Sequence, residues 1–472
     1  MVRKAVVSRV AEVAVVGAGY VGLVTGASLA LIGHRVTCVD RDGGRVAGLR
    51  EGRLPFYEPG LEELAARGVG AGRLSFTEGL DEAVGLADVA FIAVGTPQGE
   101  DGAADLSNVS AVARGIGRAL ARSGCRGGRP LVVANKSTVP VGSGDYVSGV
   151  VREGAEEAGG FEAPGEVPFG VASNPEFLRK GSAVYDSLFP DRIVVGAEEA
   201  WVVEAMRGLY APVIEQSFPV EMDPRPRVTV PFVVTDLASA EMIKYAANAF
   251  LATKVSFINE ISDLCELTGA DVGSVATGIG LDGRIGPRFL NAGIGWGGSC
   301  LPKDVSALRA IARGHRLETE LLDATVAVND RRCGLVVSKL RLGLGALGGR
   351  RVALLGLAFK PNTDDLREAP SLRIATELGA LGAEVVGYDP VAGKAAACEA
   401  PGLLRVAFDP YEALAGAHAA VVVTEWEEVR NLDLGRAASL MREPKLLVDG
   451  RNALDLAAAA AAGLLYESFG HG

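Results

Sequence analysis

The chain alternates short apolar runs of strand length with longer segments of helical periodicity, a pattern typical of parallel α/β domains. In the N-terminal part, four apolar runs end in polar loops, at 13–16, 35–40, 88–97 and 130–140. After a Gly-rich linker, four similar runs follow at 351–356, 383–389, 419–424 and 445–449. The repetition predicts two Rossmann-like parallel-sheet domains.

A single long helix is predicted between these two halves. Apolar and small residues recur at helical spacing from Ala238 to Leu267 without proline, which is longer than a typical globular helix. We expect a spine between domains and a subunit interface. The predicted fold is therefore α/β, with two Rossmann-like parallel-sheet domains joined by a long central helix and a helical middle domain. The expected domains comprise residues 1–232, 233–340 and 341–472.

Three segments carry weaker local signals. Residues 151–168, rich in Gly, Glu and Pro, are predicted to form a solvated surface insertion. The Asp223–Pro226 segment is predicted to break regular structure before a domain boundary. The alanine-rich block Leu456–Leu465 is too short to span a bilayer and predicts a C-terminal helix.

The first strand leads into a glycine motif at Gly17, Gly19 and Gly22, followed by a helix and a second strand that ends at Asp40. The three glycines suit a tight turn, backbone approach to a pyrophosphate, and packing of helix on strand. Asp40 is expected to accept hydrogen bonds from ribose hydroxyls and to repel a 2′-phosphate, which favours NAD over NADP. Arg41, next in the chain, weakens that preference.

Other polar residues are placed where a ligand could lie. Thr96 and Thr138 follow strands and are expected to line the cofactor cleft, although each would equally suit a helix cap. Lys244 and Asn248 lie four residues apart and share one helix face. Such a pair is most often a solvated surface, but its apolar and small neighbours favour burial toward a site.

The segment Gly297–Asp304 places Cys300 after a flexible glycine turn and before Lys303 and Asp304. A thiolate adds to carbonyl carbon far better than a hydroxyl, and nearby positive charge activates it. Next to a nicotinamide site, such a cysteine lets an enzyme oxidise an aldehyde through a covalent thioester. The alternative is a small buried hydrophobe, which is what most intracellular cysteines are.

Composition narrows the class of protein. The formal net charge is −11 without a dense Lys/Arg tract, so nucleic acid is not an expected partner. The six cysteines and four histidines show no metal-type spacing, so no metal is expected, and reduced thiols in a cytoplasm are the simplest account. The first dozen residues do not resemble a secretory signal, and no membrane segment is expected. In the second half of the chain, Lys360 lies in the turn that follows the predicted strand at 351–356. Its positive charge there suggests a second phosphorylated ligand.

These residues closely resemble the UDP-glucose/GDP-mannose dehydrogenases over nearly the whole chain. The most specific elements are Asn174–Leu178, Lys244 with Asn248, Arg284–Gly286 with Arg288–Asn291, the Cys300 segment, and Phe359–Asp365. Residues 251–260 are similar to the branch of the family that acts on UDP-glucose.

The resemblance implies a four-electron oxidation of a sugar C6 alcohol with NAD, through a Cys300 thiohemiacetal and thioester. It also implies that the N-terminal domain (1–232) binds NAD, the central helical domain (233–340) serves dimerisation and catalysis, and the C-terminal domain (341–472) binds the UDP-sugar. The implied catalytic residues are Cys300, Lys244, Asn248, Asp304, Glu176 and Thr138. The implied NAD contacts are Gly17, Gly19, Tyr20, Val21, Gly22, Asp40, Thr96, Thr138, Lys303 and Arg367. The implied UDP-sugar contacts are Phe177, Leu178, Lys244, Asn248, Arg284, Phe289, Asn291, Gly297, Lys360 and Arg451.

Within that scheme, Lys244 and Asn248 would stabilise the C6 oxygen, and Asp304 would act on water together with Thr138 and Glu176. Asp304 could instead pair with Lys303 or cap a helix. Arg284 would reach the sugar from a neighbouring subunit, which implies a homodimer or larger homo-oligomer through the central helix.

One departure from the family pattern lies at Lys180, where many relatives have glutamate. This side chain is expected either to point to solvent or to contact a cofactor phosphate. Three alternatives to oxidation of UDP-glucose remain: the same chemistry on UDP-N-acetylmannosamine or GDP-mannose, a two-electron hydroxy-acid dehydrogenase, and a non-catalytic nucleotide sensor.

Overall fold

A computed structural model describes residues 10–123, 129–161, 169–219 and 229–471. The Asp223–Pro226 segment and the first nine residues lie outside these ranges. The chain divides into two compact units, residues 1–246 and 247–472, and the division falls inside the central helix.

The first unit is built on an eight-stranded sheet. Its strands are β1 (Glu12–Val16), β2 (Arg35–Val39), β3 (Leu74–Thr77), β4 (Val89–Ile92), β5 (Leu131–Asn135), β6 (Phe169–Ser173), β7 (Ile193–Gly196) and β8 (Phe232–Thr235). The spatial order is β3-β2-β1-β4-β5-β6-β7-β8, and all neighbouring pairs are parallel except β6 with β7. The first six strands have the order 3-2-1-4-5-6 of a dinucleotide-binding fold, with its switch point between β1 and β4.

Helices cover this sheet, and apolar strand residues fill the core on both of its faces. The helices are α1 (Tyr20–Leu31), α2 (Gly43–Arg50), α3 (Leu61–Gly70), α4 (Leu80–Leu86), α5 (Ser107–Arg122), α6 (Ser143–Glu157), α7 (Ala183–Leu188) and α8 (Ala200–Ile214).

The predicted long helix is confirmed as α9 (Leu237–Thr268), which begins in the first unit and ends in the second. The second unit adds α10 (Val272–Gly280), α11 (Leu301–Gly314) and α12 (Glu320–Leu344) before its sheet. Arg332 on α12 is fully buried, and its guanidinium bonds to the Asn259 carbonyl on α9 and to the carbonyl of Gly293, in the segment that leads to Cys300. This one side chain thereby ties α12, α9 and the segment before the cysteine together.

The second unit contains a six-stranded, wholly parallel sheet with the order β11-β10-β9-β12-β13-β14. Its elements are β9 (Arg351–Leu355), α13 (Pro370–Ala380), β10 (Glu384–Tyr388), α14 (Gly393–Glu399), β11 (Arg405–Val406), α15 (Pro410–Leu414), β12 (Ala419–Val422), α16 (Glu427–Arg430), α17 (Leu434–Leu440), β13 (Leu446–Asp449), α18 (Leu456–Ala461) and β14 (Leu465–Glu467). Counted from β9, this is again the order 3-2-1-4-5-6, so the prediction of two Rossmann-like sheets is confirmed.

Two local predictions agree with the structure only in part, since the predicted C-terminal helix is present as α18 but is shorter than expected. The segment predicted as a surface insertion at 151–168 begins as the second half of helix α6, where Val150 and Val151 are buried; residues 162–168 lie outside the described ranges. Gly154 lies against the backbone of Arg114 on α5. Because glycine has no side chain, α6 can pack closely against α5 at this position. At the C-terminus the helix ends at Ala461, and Leu465 pairs with Leu446 at the edge of the sheet.

None of the helices described by the structure is long and apolar enough to cross a membrane.

Candidate active site

The glycine turn after β1 has the geometry that a bound dinucleotide needs. Gly17 has φ +106°, and a Cβ there would lie 2.5 Å from the Ala93 carbonyl oxygen. A Cβ on Gly22 would collide with the Gly17 carbonyl, whereas one on Gly19 would meet no described atom within 4 Å. The first and third glycines are therefore fixed by packing, and the second leaves open space at the start of α1. That helix has no acidic residue in its first turn, so its N-terminus favours an anion.

Asp40 follows β2 and lies against the same turn. Its carboxylate accepts hydrogen bonds from the Ala18 amide (2.9 Å), the Asp42 amide (3.0 Å) and the Arg45 guanidinium (2.9 Å). Burial by itself would raise the pKa of the Asp40 carboxyl, but these three donors outweigh it and bring the pKa below its ordinary value. Asp40 is thus ionised and fixed beside the glycine turn, the arrangement suited to a ribose. Together these residues fit NAD.

Tyr20, the first residue of α1, connects the glycine turn to a second loop. Its hydroxyl donates to the buried Glu58 carboxylate, which also accepts from the amides of Gly181 and Ala183, each at 2.7 Å. The Lys180 ammonium lies 5.1 Å from the centre of the Tyr20 ring, and Lys180 is half-buried. Lys180 is therefore held beside the glycine turn rather than extended into solvent. Val21, the next residue of α1, is also half-buried.

The two threonines meet at the carboxyl ends of β4 and β5. The Thr96 hydroxyl donates to the Thr138 carbonyl at 2.8 Å, and neither threonine is the N-cap of a helix. Both lie at the edge of the sheet where ligands bind in this fold.

Glu176 and Lys244 form a buried ion pair in the first unit. The Lys244 ammonium donates to the Glu176 carboxylate at 2.9 Å and to the Glu176 carbonyl at 2.7 Å. The Leu178 amide donates to the same carboxylate at 2.6 Å, and the Phe177 ring lies 5.5 Å from the ammonium. Burial would raise the pKa of Glu176, but the adjacent Lys244 charge and hydrogen bonds bring it below its ordinary value. The pair is therefore ionised.

In the second unit, Cys300 is the N-cap residue of α11 and is only partly buried. Its sulfur lies 3.8 Å from the Ser299 hydroxyl. The hydrogen bond with Asp365 raises the pKa of the Arg367 guanidinium. The negative charge of a Cys300 thiolate raises that pKa further, so the two side chains interact electrostatically. A helix N-terminus and a nearby guanidinium both favour the thiolate. The cysteines of the described ranges form no disulfide.

Asp304 lies one turn further along α11 and is fully buried. It accepts hydrogen bonds from the Asn248 amide and from the Lys303 ammonium, both at 2.6 Å. The contact with Lys303 is the ion pair considered above as an alternative role. The additional bond from Asn248 ties the start of α11 to α9, so that Asp304 and Asn248 belong to one buried cluster.

The glycine turn before Cys300 packs against the loop between β9 and α13. A Cβ on Gly297 would overlap the Glu368 carbonyl oxygen. Gly298 has φ +83°, and a Cβ there would lie 2.6 Å from the Phe359 ring. Both glycines are needed for packing, because no side chain fits at either position.

The remaining predicted ligand contacts lie at different places in the second unit. Arg451 donates to the carbonyls of Val423 (2.8 Å) and Gly295 (3.0 Å), so much of its guanidinium holds backbone. Lys360 is half-buried, with its ammonium 5.7 Å from the Phe359 ring. Three further residues lie in the segment after α10: Arg284, which is highly exposed and paired with Asp282; Phe289, which has φ +64°; and Asn291, which is exposed.

The sequence analysis did not predict several buried charged residues, among them Lys136 and Glu241. Lys136 follows β5, and Glu241 on α9 accepts hydrogen bonds from the amides of Gly142 (2.7 Å) and Gly144 (2.8 Å) at the start of α6. The only sequence signal was a charged residue among apolar neighbours, which does not identify a partner distant in the chain.

The two Rossmann-type sheets, the NAD-compatible glycine turn and the cysteine at a helix N-terminus define a dinucleotide-dependent dehydrogenase. Comparisons with known proteins identify the family. Three models of the UDP-glucose/GDP-mannose dehydrogenase family match: the NAD-binding domain at residues 11–214, the central domain at 238–331 and the UDP-binding domain at 353–456.

Relatives match over nearly the full length. The chain is 46% identical to UDP-glucose 6-dehydrogenase of Rhizobium meliloti, covering 97% of this chain and 99% of the relative. It is 44% identical to UDP-glucose 6-dehydrogenase YwqF of Bacillus subtilis, covering 97% of each. A solved UDP-glucose dehydrogenase from Pyrobaculum islandicum superposes with a TM-score of 0.86 at 40% identity, covering 98% of each chain. The chain belongs to the UDP-glucose/GDP-mannose dehydrogenase family and is an NAD-dependent nucleotide-sugar dehydrogenase.

Proposed function

We propose that the chain oxidises the C6 primary alcohol of UDP-glucose in two steps to give UDP-glucuronate. The similarity to UDP-glucose 6-dehydrogenases at 44–46% identity and the match to the UDP-binding domain support this substrate. When bound, NAD accepts a hydride from the C6 carbon in each of the two oxidations.

In the first oxidation, Lys244 and Asn248 stabilise negative charge on the C6 oxygen while the alcohol proton leaves to a base or water. The support is that both side chains are buried and held: Lys244 by Glu176 at 2.9 Å and Asn248 by Asp304 at 2.6 Å. Donors held in place before the reaction stabilise charge without reorganising during it.

Cys300 carries the second half of the reaction. Its thiolate adds to the C6 aldehyde carbon, and the oxygen takes up a proton, which gives a thiohemiacetal. Loss of a hydride and of the hydroxyl proton leaves a thioester, and water then releases the carboxylate and returns the thiol. Asp304 orients or deprotonates that water, and the family resemblance implies the same role for Thr138 and Glu176. The observation that carries the proposal is Cys300 at the N-terminus of α11, partly accessible and close to the Arg367 guanidinium.

Substitution of the cysteine tests this mechanism. Cys300→Ala is expected to abolish overall turnover, whereas Cys300→Ser is expected to bind both ligands and to stall after the first oxidation or before hydrolysis. Near-normal uronate formation by Cys300→Ala would exclude the covalent mechanism. The alkylation of Cys300 in the wild type, measured by mass spectrometry with and without UDP-glucose, provides an independent measure of its accessibility.

The substrate is tested with UDP-glucose, UDP-N-acetylmannosamine, UDP-galactose and GDP-mannose, with NADH counted per sugar consumed. Two NADH per UDP-glucose are expected, and one NADH would indicate a two-electron dehydrogenase instead. Preference for another sugar would keep the chemistry but change the substrate. Absence of turnover with all four would favour a sensor.

A homodimer through α9 is part of the proposal. Phe250, Phe257 and Leu264 are spaced by seven residues on this helix and are 66%, 50% and 53% exposed. A seven-residue spacing keeps side chains on one helix face, and a row of exposed large apolar residues favours a partner surface. Phe257→Glu is expected to shift the molar mass measured by light scattering toward the monomer. An unchanged mass would exclude this face. A cytoplasmic location stays a prediction that rests on cysteine usage.

A further inference from the structure

Lys136 is a buried cation at the carboxyl end of β5 whose direct partners are neutral. Its ammonium donates to the Asn174 side-chain oxygen at 3.0 Å and to the Tyr210 hydroxyl at 3.1 Å. It lies 5.8 Å from the centre of the Phe91 ring and 5.5 Å from that of Tyr210. Among the described residues, both hydrogen-bond partners of this ammonium are neutral, and the Glu176 carboxylate acts on it only through space. A buried ammonium in such surroundings is costly, because two neutral acceptors replace only part of its hydration.

The partner of Lys136 leads directly to the candidate site. Asn174 is buried, and its side-chain amide donates to the Val194 carbonyl at 2.7 Å, while its oxygen also accepts from the Tyr210 hydroxyl at 2.8 Å. Two residues further along the chain is Glu176, which is paired with Lys244. Lys136 therefore holds the first residue of the turn that presents the Glu176 carboxylate.

Lys136 adds a positive charge next to the buried Glu176–Lys244 pair. Together with Lys244, it lowers the pKa of the Glu176 carboxyl, which burial alone would raise. Positive charge fixed in a buried site favours negative charge that develops on a substrate oxygen.

We propose that Lys136 is a positioning residue of the oxidation: its ammonium orients the Asn174–Glu176 turn and adds positive charge behind the Glu176–Lys244 pair. This inference rests on the proposed function, in which Lys244 acts on the C6 oxygen. The oxidation then requires the charged form of Lys136.

That requirement has a pH signature. Burial lowers the pKa of Lys136 to about 8; the Glu176 carboxylate opposes this and the Lys244 ammonium adds to it. The groups that face Lys136 are Glu176, Lys244 and Tyr210, and burial raises the pKa of Tyr210 above its usual range. Tyr210 therefore stays neutral, and loss of the Lys136 charge is expected to lower the rate as the pH rises through about 8.

The test is Lys136→Met, which keeps the length and apolar contacts of the side chain and removes the charge. The first oxidation is followed in single turnover with UDP-glucose from about pH 6.5 to 9.5, together with KM and the melting temperature. At pH 7 we expect the rate of Lys136→Met to be about tenfold or more below that of wild type, with a KM for UDP-glucose within about threefold. We also expect the fall in rate near pH 8 that wild type shows to be absent from Lys136→Met. Lys394→Met on α14, which removes an exposed lysine, is the matched control.

The melting temperature separates positioning from a structural role. Because the ammonium is buried with neutral partners, its removal is expected to leave the melting temperature unchanged or higher. A purely structural lysine would lower the melting temperature and leave the shape of the pH profile intact, and that result would overturn the proposal. A Lys136→Met rate within threefold of wild type, with the decline near pH 8 retained, would also overturn it. Failure of the proposed function itself would appear in the wild type, as no NADH formed from UDP-glucose.

Discussion

The turn before Cys300 offers a sharp test of how the loop between β9 and α13 positions the nucleophile. Gly297 has an ordinary φ, so the backbone conformation tolerates alanine, but a Cβ there would overlap the Glu368 carbonyl oxygen. Real Cβ atoms essentially never come within 3.0 Å of such an atom. The overlap is with backbone, which cannot rotate away as a side chain does. Gly297→Ala must therefore move the turn or the Glu368 backbone by roughly an ångström.

This displacement sets the expected size of the effect. Overpacking of this kind costs about 1–3 kcal/mol of folding free energy. A shift of about 1 Å in a reacting group lowers a rate by about 100-fold. Cys300 lies three residues after Gly297, at the point where α11 begins, so the shift reaches the sulfur. We expect a large loss of kcat with a moderate loss of stability.

The assay is NADH formation from UDP-glucose, together with the melting temperature and the rate of Cys300 alkylation. The matched control is Gly314→Ala at the other end of α11, where a Cβ would meet no described atom within 4 Å. That change is expected to be neutral or to stabilise the helix by about 0.5–1 kcal/mol, with kcat unchanged. If Gly297→Ala kept the kcat and the melting temperature of wild type, the turn would not be held by the Glu368 backbone.

Three further predictions concern the first unit. Asp40→Ser removes the fixed carboxylate beside the glycine turn and frees Arg45, so the Kd of NAD is expected to rise about tenfold or more and the preference over NADP to fall; equal preference in both proteins would contradict this. Glu176→Gln removes the carboxylate from the buried ion pair with Lys244, which is expected to cost about 3–5 kcal/mol, measured as a lower denaturation midpoint. Burial raises the pKa of Glu241 from 4.5 to about 7, against the amide hydrogen bonds that it accepts at the start of α6. Its stabilising contribution is therefore complete below about pH 4.5 and is lost as the pH rises through 7, by roughly 2–3 kcal/mol. The melting temperature of wild type minus that of Glu241→Gln should fall between about pH 5 and 8, and parallel curves would exclude the effect.

Local patterns predicted most of the fold. Apolar runs of strand length and the proline-free periodicity of α9 were sufficient, because the period of the apolar positions follows directly from backbone geometry. The pattern failed where glycine was interpreted as a loop signal. In α6, Gly154 permits contact with the α5 backbone, and this role depends on a neighbour about forty residues away in the chain.

The residues of the candidate site likewise fall into two groups, those that are local in sequence and those that meet across long distances in the chain. The glycine motif, Asp40 and the Cys300 segment are local in sequence, and their chemistry follows from residue types at short spacing. The pairing of Asn248 with Asp304 and the Lys136–Asn174 contact join residues more than thirty positions apart. Residue type alone does not identify such partners.

The sequence by itself determined the two Rossmann-type sheets, the long helix, the dinucleotide motif and the glycine turn that precedes Cys300, since each depends on short-range spacing. The tertiary structure alone decided which charges are buried and what faces them: Glu176 with Lys244, Asp304 with Asn248 and Lys303, and Lys136 with neutral groups. The physical reason is that the ionisation of a side chain depends on the solvent and charges around it, and those surroundings are assembled from distant parts of the chain.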